Sequence, residues 1–245
     1  MSFNPRFLPI GIAALLLSPW ACARPIVYAH SATVMAEYIG DTMSEAQLSY
    51  APKSWWSFGL GYLDLAEQDS HPGHKVTFGR ANLLLKRWNQ ESSQANVFAW
   101  GGVGRTPTTE WVSSTSEPVP DDHDHGEVSP GSVSFYEKTS GETVWNGGAQ
   151  IDYETRRIYT AIKMDYHEAS SFWHRTDTVQ FGFAPYKHDV DNLATWFLVS
   201  YSRYSGDNYE DDQVAFLLRF FKKRTWVEGG VTTEGNLQAR VMFSL

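Results

Sequence analysis

Cysteine is all but missing: Cys22 is the only one among 245 residues. It lies inside an N-terminal segment with the marks of an export leader. Once that segment is removed, no disulfide and no cysteine-based zinc site can staple the chain. Basic residues are also in deficit, 20 Lys and Arg against 28 Asp and Glu, for a formal charge of −8. A nucleic-acid-binding surface would lack its electrostatic footprint, so nucleic acid is excluded as a partner. Long apolar runs are missing too. Mean hydropathy is −0.37, and beyond the leader no run of about 18 apolar residues offers a transmembrane helix.

The leader has a positive start at Arg6, an apolar stretch from Phe7 to Leu17 broken by Pro9 and Gly11, and an A-x-A cleavage site at Ala21-Cys22-Ala23. It is too short and too interrupted to span a bilayer, which takes about 20 apolar residues. The expectation is a signal peptide over 1–23, with Arg24 as the first mature residue. Losing Arg6 makes the mature charge −9. A lipid anchor on Cys22 is the alternative, but Pro19 stands where a lipobox carries Leu. Residues 24–245 are of a length that a single β-domain commonly reaches.

What the chain does have is aromatics, 15 % of residues with ten Trp, and segments of about ten residues that alternate apolar and polar. Period-two alternation over such lengths is the signature of a transmembrane strand with one face to lipid and one to the lumen. At the C-terminus Leu237, Ala239, Val241, Phe243 and Leu245 share one parity, and Gln238, Arg240 and Ser244 the other. Val179, Phe181 and Phe183 alternate with Gln180 and Gly182, and Trp145, Ile151 and Tyr153 oppose Asn146, Gln150 and Asp152.

The fold class expected is therefore all-β: a single up-and-down antiparallel transmembrane β-barrel of about twelve strands, with ten also compatible. The strands fall near 31–40, 43–51, 54–66, 74–88, 94–105, 142–154, 157–168, 175–186, 192–204, 211–222, 224–232 and 235–245. Two places depart from clean alternation. Leu83-Leu84-Leu85 breaks the period, as a β-bulge would, and 96–104 fits either register. A soluble β-sandwich is the rival, because alternation alone does not distinguish a lipid face from a protein core.

Barrels of this kind have short turns on one rim and longer loops on the other. The even connections expected here are compact, and the odd ones include a long Ser-, Thr-, Pro-, Asp- and His-rich segment at about 106–141, read as an extracellular loop. Trp55, Trp56, Tyr62, Trp88, Trp100, Trp145, Trp173, Tyr186, Trp196, Tyr201 and Trp226 lie in or near strands, where interfacial girdles place many such rings.

The ending Leu237-Gln-Ala-Arg-Val-Met-Phe-Ser-Leu245 resembles the C-terminal strand by which outer-membrane proteins are recognised for assembly. It departs from that pattern in closing on Leu, with Phe243 two places earlier. Together with Asp152-Tyr-Glu-Thr-Arg-Arg157 and Tyr50-Ala-Pro52, the chain resembles uncharacterised proteobacterial outer-membrane β-barrel proteins of the kind found in heavy-metal-handling gene clusters. The last two motifs are turn chemistry and carry no reaction. The resemblance implies a Gram-negative envelope, with outer-membrane lipid and the outer-membrane assembly machinery as partners. Oligomeric state has no signature in the sequence.

Three groups of residues could carry function. Asp121, Asp122, His123, Asp124, His125 and Glu127 mix imidazoles and carboxylates that suit an exchangeable divalent first-row ion, with His71 and His74 in another odd connection as lesser candidates. A merely acidic, solvated loop is the competing reading. No cofactor is required. Second, Glu37, Glu45, Asp152, Lys163, Asp165, Arg219, Glu228 and Arg240 have the parity of lumen-facing positions. There they either line a small-solute pathway or pair into a network that closes it. Third, His167, Glu168, Ser170, Ser171, His174 and Arg175 gather groups that a lipid-modifying hydrolase would use, although no catalytic residue is assigned. The functions expected are a small-solute or ion channel or a surface metal-capture protein, then a closed structural or adhesive barrel, then a hydrolase.

Overall fold

The computed structural model describes residues 28–67, 73–115, 133–187, 192–207 and 209–245, with side chains at 108–139 and 209 outside the description. The leader, His71 and the whole run 121–127 therefore lie outside the described residues. Twelve strands make one closed antiparallel barrel in which each pairs with its sequence neighbours and β1 meets β12. They are β1 Ser31–Ile39, β2 Met43–Lys53, β3 Trp56–Leu65, β4 His74–Asn89, β5 Ser93–Thr115, β6 Val133–Thr155, β7 Ile158–Glu168, β8 Trp173–Phe183, β9 Ala194–Gly206, β10 Tyr209–Lys222, β11 Thr225–Thr232 and β12 Leu237–Ser244. Closure satisfies the strand edges around the barrel wall, which is what a bilayer demands of a β-structure.

The exterior is apolar and the interior polar. Directly opposed outward positions run across neighbouring strands as Ile151, Ile162 and Val179, and as Leu60, Leu48, Val34 and Phe243. All seven are exposed, Leu60 by 69 % and Ile162 by 59 %. A soluble monomer rarely exposes contiguous apolar patches beyond a few hundred Å2. Buried inside instead are Gln94, Asn96, Gln150, Gln180 and Gln238 with a set of charges. That inversion removes the sandwich rival, whose core would be the greasy side.

The alternation defects have structural causes. Leu84 pairs with Phe98 but Lys86 with Val97, so Leu85 is the extra residue of a bulge. The bulge moves the inward parity from Asn82 and Leu84 to Arg87. Across 96–104 the register turns Asn96, Phe98 and Trp100 inward.

The rims differ from the expectation. Strand pairing of β5 with β6 does not stop near 106 and 141 but continues from Thr106↔Glu142 to Thr115↔Val133. Pairing of β5 with β4 ends at Arg105, and of β6 with β7 at Trp145. The extra length is thus a two-stranded ribbon standing off one rim, and only 116–132 connects its ends. Opposite this ribbon rim is the terminal rim, where β1 begins and β12 ends. Loop lengths sort less cleanly than the sequence implied, because β8 stops at Phe183 and leaves 184–193 as a long connection on the terminal rim.

Candidate functional site: the charged lumen

Barrel stagger brings inward charges of opposite sign side by side. Arg219 on β10 faces Glu228 on β11, Glu228 faces Arg240 on β12, Arg240 faces Glu37 on β1, and Glu37 faces Glu45 on β2. The row is ion-paired along most of its length: Arg219 Nη2 to Glu228 Oε2 at 2.6 Å, Arg240 Nη1 to Glu228 Oε1 at 3.6 Å, and Arg240 to Glu37. Arg219 is only 2 % exposed. It also donates to Gln180 Oε1 at 2.9 Å, and its guanidinium carbon lies 4.8 Å from the Tyr159 ring centre and 5.0 Å from that of Trp226. A charge removed from water persists only when paired and hydrogen-bonded in this way.

On the facing wall Asp165 is the hub. It accepts from Trp100 Nε1 at 3.1 Å and Arg80 Nη2 at 3.4 Å, and pairs with Lys163 Nζ at 3.4 Å. Arg80 spans the interior from β4, donating through Nε to Asn146 Oδ1 at 3.3 Å while Nη1 stands 3.9 Å from Glu45 Oε1. Nearer the terminal rim Asp152 accepts from Asn96 Nδ2 at 2.6 Å and Gln150 Nε2 at 3.0 Å. Trp100 reaches Asp165 because its cross-strand partner is Gly148, where a Cβ would come within 2.5 Å of the indole. Gly61 makes the same room for Phe78.

Of the eight charges given lumen-facing parity, Glu37, Glu45, Asp152, Asp165, Arg219 and Glu228 are buried, and Lys163 and Arg240 are partly covered. Sequence parity missed Arg80, the cross-lumen strut, because the inward face of β4 also carries Val76 and Phe78. The tryptophans divide between the two faces. Trp100, Trp196 and Trp226 are not girdle anchors but interior side chains, Trp226 being fully buried, whereas Trp55, Trp88 and Trp145 are exposed.

Two cavities adjoin. One, of about 70 Å3, is lined by Thr33, Gln47, Ser49, Asn82, Gln150 and the Trp100 ring among others, and has room for a few waters. The second, of about 20 Å3, lies toward the ribbon rim against Glu45, Asp165, His167, His174 and Tyr204. Glu37, Lys163 and Arg240 line both. Beside these cavities the lumen is packed solid by Tyr159, Trp196, Leu198, Leu217, Phe221 and Trp226.

The remaining candidates separate. Among the described residues no three His, Cys, Asp or Glu side chains are grouped to hold a metal ion. His74 stacks on Phe172, ring centres 4.0 Å apart. Of the residues a hydrolase would use, Ser171 donates its hydroxyl to Glu142 Oε2 at 2.6 Å, and His174 Nε2 contacts Thr176 Oγ1 at 3.1 Å. No hydrogen bond joins Ser171 to either imidazole, as a nucleophile and its base would require.

Comparison with known proteins adds little to this geometry. No protein-family model matches the chain, and no curated protein matches it. Among solved structures it is similar to OmpT, an outer membrane protein of Vibrio cholerae. The loop L8 deletion mutant has 8 % identity and a TM-score of 0.29, covering 88 % of this chain and 97 % of that one. The in-vitro folded form has 7 % identity and a TM-score of 0.27, covering 88 % and 96 %. At that distance the likeness carries no functional argument, and the fold rests on the strand pairing itself.

Proposed function

We propose that the protein is an exported outer-membrane barrel that passes small ions or solutes along the hollow side of its lumen. The observation that carries this reading is the pair of adjoining cavities with Glu37, Lys163 and Arg240 common to both. Those three side chains form the constriction, and passage requires the Arg240–Glu37 contact to loosen. Both signs of charge line the path, so selectivity is set by size before sign. The ribbon rim faces outward, as the rim with the longest connection does in barrels of this kind.

Single-channel recording of the refolded protein in a planar bilayer tests this. Discrete conductance steps are expected, with larger unit conductance in the Glu37→Gln/Arg240→Gln double variant. A second reading, a closed structural barrel, is favoured by the aromatic packing around Arg219. Silence from demonstrably inserted wild-type and double-variant protein would establish that reading instead.

A further inference from the structure

Inside the mouth of the ribbon rim, a histidine pair is left over once the ion-pair network is accounted for. His167 is the penultimate residue of β7 and His174 the second of β8, and the two are directly opposed in the register. Both turn inward, 3 % and 8 % exposed, and both line the 20 Å3 cavity. Neither ring nitrogen of His167 has a hydrogen-bond partner. A buried polar group without a partner is destabilising, so two such nitrogens on one ring call for an occupant of the cavity beside them.

We infer that His167 and His174 form an exchangeable binding site for a divalent transition-metal ion, Cu(II) or Zn(II), inside the mouth of the barrel. Directly opposed strand residues hold their Cβ atoms about 4.5–5.5 Å apart, close enough for two imidazoles to chelate one ion at the roughly 2.0–2.1 Å metal–nitrogen distance of zinc sites. The cavity has the volume of one or two waters. The carboxylates of its lining, Glu37, Glu45 and Asp165, are each paired with Arg240, Arg80 or Lys163, so the two imidazoles are the groups left to bind an occupant. Two protein ligands leave the remaining positions to water, which makes the ion exchangeable and distinguishes the site from a four-ligand structural centre. The site uses none of 121–127 and does not depend on conduction.

The test is a Cu(II) titration of the detergent-refolded full barrel followed by electron paramagnetic resonance, in wild type and in a variant lacking 121–127. Expected is one bound Cu(II) per chain with hyperfine coupling to two nitrogens, unchanged by the deletion. Loss of an outer-sphere partner already costs about 10–100-fold in metal affinity. His167→Gln and His174→Gln, each shown to retain heat-modifiable mobility, should therefore each weaken binding by at least ~100-fold. No saturable binding in the deleted variant would overturn the inference, as would binding that both substitutions leave unchanged. Because nothing here is read as current, a closed pore would leave this result standing, and an empty site would leave the pathway untouched.

Discussion

The two sides of the lumen follow one alternation rule and end up in opposite states. On the β8–β11 side, Trp196, Leu198, Leu217, Phe221 and Trp226 point inward from neighbouring strands and fill the interior around one neutralised Arg219. On the side of β1, β2 and β4–β7, the inward positions include Thr33, Ser49, Asn82 and Gln150, and a cavity lies between them. Large apolar side chains close-pack when they face one another, while short polar ones leave space that water must occupy. The packed side should therefore govern stability and the hollow side passage.

The largest test of that division is Glu228→Ala on the packed side. It strips Arg219 of its closest carboxylate at 2.6 Å. Leaving a buried charge unpaired is expected to cost about 3–5 kcal/mol, read as a lower denaturant midpoint in detergent or lipid. A near-neutral result would mean that water reaches Arg219 and that this side is not dry. Next, Ile162→Arg on the exterior should cost about 2–4 kcal/mol in bilayers, as charge does on the lipid face at mid-depth, whereas an unaffected variant would place that position outside the hydrocarbon. The smallest stability effect is expected from Lys163→Gln, below about 1 kcal/mol, because Asp165 keeps Arg80 and Trp100. That substitution should nevertheless alter unit conductance, since Lys163 lines both cavities. A large loss of stability with unchanged current would reverse the assignment of the two sides.

Much of the architecture was legible residue by residue. Val179, Phe181 and Phe183 against Gln180 and Gly182 fix a strand and its two faces with no tertiary information, and Leu83-Leu84-Leu85 marked the bulge before the register located it at Leu85. The ribbon was not legible. Its composition is that of a loop, and strand pairing between Thr106 and Thr115 depends on β6 being delivered alongside. Nor was the interior position of Trp100, which depends on a glycine 48 places away that leaves room for the ring. His167 and His174 were visible as residues but not as a pair, because only the β7–β8 register opposes them.

By itself the sequence determined the class of structure: period-two alternation, the absence of an apolar helix and the lack of cysteine all follow from local chemistry that every strand carries alone. Only the tertiary structure decided which side of that alternation is lipid, which charges meet, and where the lumen stays open. Those outcomes depend on the stagger of twelve strands, which sets Arg219, Glu228, Arg240 and Glu37 in one row across the chain's two ends. No window of sequence contains that row, because a barrel makes neighbours of its first and last strands only by closing.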